Sequence, residues 1–220
     1  MVLNLSNSEP GKSRRLRVGV LLFDDVEVLD FAGPLEVFGV TITAAGDPAF
    51  EVATVALQPG NVLASNNLIV VPNGVAEDLS QPDILVIPGG RGTRKELSNP
   101  AMLGFLRGTV PQSEVTLSVC TGALLLGAAG LLKGLSATTH WAAMEELRAL
   151  NAASEILPDC RIVDNGRVVT SAGVSAGIDA ALYVVSRLLG PACAQRTADH
   201  MQYDWRHRGP GVDVAVRTSA

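Results

Sequence analysis

Histidine, cysteine and aromatic residues are all scarce in this chain, and each shortage removes a class of structure or function. The three histidines, His140, His200 and His207, have no Cys, His or carboxylate partners at zinc-site spacings, so no metal centre is expected. The three cysteines, Cys120, Cys160 and Cys193, are odd in number and far apart. That pattern argues against a disulfide framework and for a reducing, cytoplasmic setting. Positive charge is not concentrated either: the net charge is −5, and the basic runs at residues 12–17 and 206–208 lie near the chain ends, where they read as solvated. Phosphate binding needs clustered Lys and Arg, so no nucleic-acid partner is expected. No apolar run reaches the roughly 18 residues of a membrane span. Residues 3–7 are too short and too polar for the core of a signal peptide. Aromatics make up 4% of the chain, and Ala, Val, Leu and Gly dominate a 47% hydrophobic composition. That mix suits helices packed closely on a sheet and does not suit disorder.

At 220 residues one core suffices. The reading divides the chain into a mobile leader at residues 1–15, a single α/β domain at 16–203 and a tail at 204–220. Residues 16–23 form a strand whose second half is uniformly apolar, as in a central parallel strand covered on both faces, and Asp24 and Asp25 end it. In residues 26–40, Pro34 falls where the first turn of a helix tolerates it, which puts Asp30 just ahead of that helix. Residues 50–57 alternate as a second strand, and the Asn- and Gly-punctuated stretch 59–74 reads as a hairpin excursion. Residues 83–90 are another buried strand running into Gly89-Gly90. Helices are expected at 100–108, 123–132, 141–150, 178–189 and 191–203, a strand at 115–119, and a hairpin turn at Asp164-Asn165-Gly166. Strands alternating with helices imply a mainly parallel sheet with helices on both faces. Ligands then meet the carboxyl ends of the strands.

Three strand ends carry chemistry. The strand at 115–119 ends on Cys120 and turns at once into a helix, an elbow that exposes a nucleophile beside the free N–H groups of the helix start. The helix field there favours a thiolate. Cys120 would attack an electrophilic carbon, the backbone N–H groups of Gly90 and Thr121 would face developing negative charge, with Gly89 allowing close approach, and Asp30 would hold or deliver a proton. Each residue also has a plainer role open to it: Cys120 as a core thiol, Asp30 as a helix cap, Gly89-Gly90 as a tight turn. His140, 20 residues after Cys120, is a second-tier partner that could equally be held in place by hydrogen bonds. Cys160 and Cys193 read as packing or surface thiols.

At these residues the sequence resembles the ThiJ/PfpI superfamily over about residues 16–203. VGVLLFDDVEVLDFAGP (18–34), ILVIPGG (84–90), SVCTGALLLGAAGLLKG (118–134), ATTHWA (137–142) and GVSAGIDAAL (173–182) occur in the order seen in its isonitrile hydratase branch. The resemblance implies a flavodoxin-like doubly wound fold, a catalytic cysteine at Cys120, an acidic partner at Asp30 and a hydroxyl neighbour at Thr121. It also implies a symmetric homodimer. Thr121 occupies the position where the protease-like branch carries histidine, which counts against peptidase activity.

The implied activity needs no cofactor: water adds to a small-molecule isocyanide to give an N-substituted formamide through a thioimidate on Cys120. Two rivals come from other classes. One is the ligand-sensing domain of AraC-type regulators. Only 17 residues follow Tyr203, too few for a helix-turn-helix module, so this rival is expected only as a stand-alone sensor. The other is a glyoxalase, chaperone or oxidative-stress protein with a peroxide-sensitive Cys120.

Overall fold

The computed structural model describes residues 14–79, 81–205 and 214–217. β1 (Leu16–Leu22) leads into α1 (Val28–Val40), β2 (Phe50–Ala56) and a small hairpin of β3 (Val62–Leu63) and β4 (Ile69–Val70). β5 (Gly74–Val75) and β6 (Ile84–Ile87) follow, then α2 (Thr93–Glu96), α3 (Pro100–Thr109), β7 (Val115–Val119) and α4 (Gly122–Ala128). The second half holds β8 (Ser136–Ala137), α5 (Met144–Ala149), β9 (Glu155–Ile156), β10 (Ile162–Asp164), β11 (Val168–Ser171), α6 (Ala176–Leu189), α7 (Pro191–His200) and β12 (Val214–Val216).

Among the described residues the central sheet has the order β12-β10-β11-β7-β6-β1-β2-β5. Every pairing in it is parallel except the β10–β11 hairpin. This is the mainly parallel, doubly wound α/β architecture that the alternating pattern implies. α1, α6 and α7 pack together in one layer, and α4 gathers α2, α3 and α5 in the other. β6 and β7 are buried at every residue, which explains their uninterrupted apolar runs: with both faces covered, nothing selects for alternation. The core joins the sheet to both layers through Leu21, Phe38, Leu85, Leu117, Leu124 and Leu182.

Four local readings need correction. α1 begins at Val28, so Asp30 lies inside its first turn, and Pro34 lies in the helix interior. The helix start is set from a distance: Ser65 Oγ, from the turn between β3 and β4, accepts the Val28 N–H at 3.2 Å. α4 stops at Ala128, short of the leucine pair that follows, because the chain turns there with Gly130 N–H on the Gly127 carbonyl. The helix expected at 141–150 is a 3-10 turn over Trp141–Ala143 followed by the six residues of α5. Residues 214–216, which carry no recognisable pattern, supply β12 by pairing parallel to β10.

Candidate active site

β1, β6 and β7 are neighbours and parallel, so the segments leaving their carboxyl ends converge. They carry Asp30, Gly89-Gly90 and Cys120. Cys120 adopts φ +55°, the left-handed region that non-glycine residues seldom enter. Such a conformation costs about 1–3 kcal/mol and persists only where the surroundings enforce it. Here the Cys120 N–H donates to the carbonyls of Ser171 and Ala172, both at 3.2 Å. Thr139 Oγ1 donates to the Cys120 carbonyl at 2.7 Å. β11 and the segment after β8 thus hold the elbow from two sides.

Asp30 is fully buried, and its Oδ2 accepts the Gly89 N–H at 3.0 Å. Oδ1 is buried without a partner at full hydrogen-bond geometry, yet the carboxyl couples to the Cys120 thiol. Burial pushes the Asp30 carboxyl from its ordinary 3.8 up to about 7, opposed by the Gly89 N–H. Burial, and then the negative charge of Asp30, push the Cys120 thiol up to about 12, although the Thr121 and Val174 N–H groups pull the other way. The expectation that the helix start leaves a resting thiolate is therefore corrected. Two N–H groups do reach the sulfur, but desolvation and a neighbouring carboxylate outweigh them. Both shifts favour the protonated forms, a thiol beside a carboxyl raised into the neutral range.

Gly89 has to be glycine because of close approach: a Cβ there would lie 2.5 Å from Thr121 N, 2.6 Å from Thr121 Oγ1 and 2.8 Å from Asp30 Oδ2. The two glycine N–H groups are already engaged. Gly89 holds Asp30, and Gly90 donates to Thr121 Oγ1 at 2.9 Å, so neither stands open as the oxyanion donor expected from the sequence. The donors that do reach the sulfur belong to Thr121 and Val174. Val174, itself at φ +52°, was missed by residue-by-residue reading, although it lies in the GVSAG stretch. Thr139 was missed as well; its signal was the Thr-Thr pair beside His140.

The structure brings Cys120, Asp30, Thr121, Gly89 and Gly90 into one cluster. His140 stands behind it. Its Nδ1 accepts the Ala142 N–H at 3.2 Å, and its ring lies against Gly173, whose added Cβ would stand 2.0 Å from His140 Cδ2. Among the described residues no hydrogen bond joins His140 to Cys120 or Asp30. Cys193 is buried and donates to the Ile42 carbonyl, and Cys160 is half-buried. No group of three or more His, Cys, Asp or Glu among the described residues is placed to hold a metal ion. No helix among them is long and apolar enough to cross a membrane.

A family model described as the DJ-1/PfpI family matches residues 16–187, which span the sheet from β1 to the last turn of α6 and include every member of the cluster. The chain belongs to the DJ-1/PfpI family. It is 37% identical to isonitrile hydratase from Pseudomonas putida over 188 residues, which is 86% of this chain and 78% of that protein. It is also 33% identical to the HTH-type transcriptional regulator CdhR from Pseudomonas aeruginosa, over 64% of this chain but only 41% of the regulator. Among solved structures, a THiJ/PfpI family protein from Pseudomonas syringae superposes with a TM-score of 0.77 at 29% identity. That match covers 90% of this chain and 79% of the other.

Proposed function

We propose that the protein is an isonitrile hydratase: a cysteine-dependent lyase that adds water to an isocyanide R–NC and releases the formamide R–NH–CHO. The observation that carries this reading is the Asp30 carboxyl, buried against Cys120 and raised to about 7, where it can both take and give a proton at neutral pH. An isocyanide carbon must receive a sulfur and a proton together. Cys120 passes its proton to the Asp30 carboxylate as the sulfur attacks, and Asp30 returns it to the same carbon. The S–C and C–H bonds form, and the product is the thioimidate R–N=CH–S–Cys.

Asp30, again ionised, then takes a proton from a water whose oxygen adds to that carbon, and hands the proton to nitrogen. Collapse of the adduct breaks the C–S bond, the hydroxyl proton returns to sulfur, and the formamide leaves. The strained elbow holds the sulfur at the carboxyl edge of the sheet, and the Thr121 and Val174 N–H groups stabilise charge on it as it attacks and departs.

The test is a panel of aliphatic and aromatic isocyanides, with formamide quantified for the wild type beside Cys120→Ser. Formamide formation that disappears in the variant is expected. A wild type inert toward the whole panel overturns the reading. The likeness to a transcriptional regulator favours a second reading, a ligand sensor, which isocyanide binding without turnover in a calorimeter would select. Glyoxal consumption in the same panel would select a glyoxalase.

A further inference from the structure

Arg94, in the short helix that follows the Gly89-Gly90 loop, reaches back over that loop. Its Nη1 donates to the Gly90 carbonyl and to Thr93 Oγ1, each at 3.2 Å. On its other side, Nε and Nη2 grip the Glu146 carboxylate of α5 at 2.9 and 2.5 Å. The Gly90 carbonyl has further donors: Thr93 Oγ1 at 2.8 Å, Thr121 Oγ1 at 3.1 Å and the Thr93 N–H at 3.3 Å. A carbonyl oxygen has two lone pairs, so these donors and Arg94 share it. The threonine donors come from the loop itself and from the next strand end. Arg94 alone ties the Gly90 carbonyl to α5, through Glu146.

We infer that Arg94, braced by Glu146, is a positioning residue. It ties the Gly90 carbonyl to α5 and so holds the Gly89-Gly90 turn against Asp30. The effect on turnover rests on the hydratase reading; the bracing of the turn does not. Gly90 itself, at φ +127°, can be nothing but glycine, since a Cβ would lie 2.4 Å from the Asp25 carbonyl oxygen and the Glu27 nitrogen. The turn is therefore stiff on the side of the β1–α1 loop and depends on Arg94 toward α5. Arg94 and Glu146 are 42% and 44% exposed, so their pairing adds little to global stability, and its loss reports on the loop.

Amide exchange followed by NMR on the full chain tests the bracing. In Arg94→Ala and in Glu146→Gln, the Gly89 and Gly90 amides should exchange about tenfold faster, while β1 and β7 amides and the melting temperature hold. Arg94→Lys, which keeps the charge but lacks the fork, should recover part of the protection. Unchanged exchange at both glycines in both variants overturns the inference. In formamide assays kcat should fall about ten- to hundredfold with KM steady. A wild type inert toward isocyanides defeats the hydratase reading, and the exchange rates then decide the bracing by themselves.

Discussion

Asp30→Asn separates what the buried carboxyl costs from what it does. The wild-type group is moved from 3.8 to about 7 by burial. A folded-state pKa above the unfolded one means that the folded chain holds the proton more tightly. The stabilisation is complete below about pH 4 and is lost as pH rises through 7. A shift of about three units corresponds to about 4 kcal/mol between those limits. Asn has nearly the same shape, still accepts from the Gly89 N–H and never ionises. The variant should therefore be more stable than the wild type at pH 9, with the gain shrinking toward pH 5. Even half of that ceiling, about 2 kcal/mol, raises the melting temperature of a domain this size by about 4–8 °C. The substitution also removes the charge that ranks next to burial in raising the Cys120 thiol. A lower thiol pKa makes the thiolate more abundant, so iodoacetamide should label Cys120 faster at pH 8.5. Formamide production should nonetheless drop by about 10²- to 10⁴-fold. A variant less stable at pH 9, or no faster in labelling, refutes the electrostatics; one that keeps the wild-type formamide rate refutes the proton carrier.

In wild type at pH 7, Cys120 and Cys193 should be alkylated more slowly than glutathione, because both are buried and burial raises both thiols; mass-mapped labelling that finds Cys120 as fast as glutathione would contradict this. Gly173→Ala must drive a Cβ to within 2.0 Å of the His140 ring, so overpacking should cost about 1–3 kcal/mol and disturb the adjacent Val174 N–H. Thermal melts and formamide rates should both fall, and an unchanged melt would show that the ring yields freely. We also propose a symmetric homodimer that covers the exposed Leu63, Leu68, Ile69 and Val71 around the β3–β4 hairpin. Light scattering should give twice the 22.9 kDa of one chain, and a monomer mass across a wide concentration range would rule the dimer out.

The parts of the fold legible in the sequence are those decided locally. Uninterrupted apolar runs mark β6 and β7, the Asp164-Asn165-Gly166 turn marks the β10–β11 hairpin, and three strand ends with reactive or flexible residues mark the place where the site assembles. What stayed hidden depends on partners distant in sequence. α1 begins at Val28 because Ser65, 37 residues on, caps it. β12 is three residues whose only call to be a strand is the edge that β10 presents. The availability of Gly90 as a donor turned on a hydroxyl from the next strand end. The thiol pKa is the sharpest case. A helix start is visible in sequence and argues for a thiolate, whereas the desolvation and the carboxylate that overrule it exist only after folding.

That reversal bears on which chemistry the site suits. Oxidation by peroxide goes through the thiolate and needs access, so a thiol used for sensing oxidants is best kept acidic and exposed. Cys120 is neither: it is buried, and it is raised to about 12. A free thiolate is likewise what an enzyme wants when the nucleophile attacks a carbon that takes no proton. Addition to an isocyanide differs, because sulfur and hydrogen end on one carbon. A thiol that keeps its proton until a neighbour of pKa about 7 relays it supplies both parts without a stored charge. The feature that weakens Cys120 as a redox sensor, its protonated resting state, is the one that fits it to a 1,1-addition, and the two readings diverge on the same measurement. Turnover of isocyanide by an enzyme whose Cys120 resists peroxide near neutral pH would join the observations, and rapid sulfenic acid formation at that pH would part them.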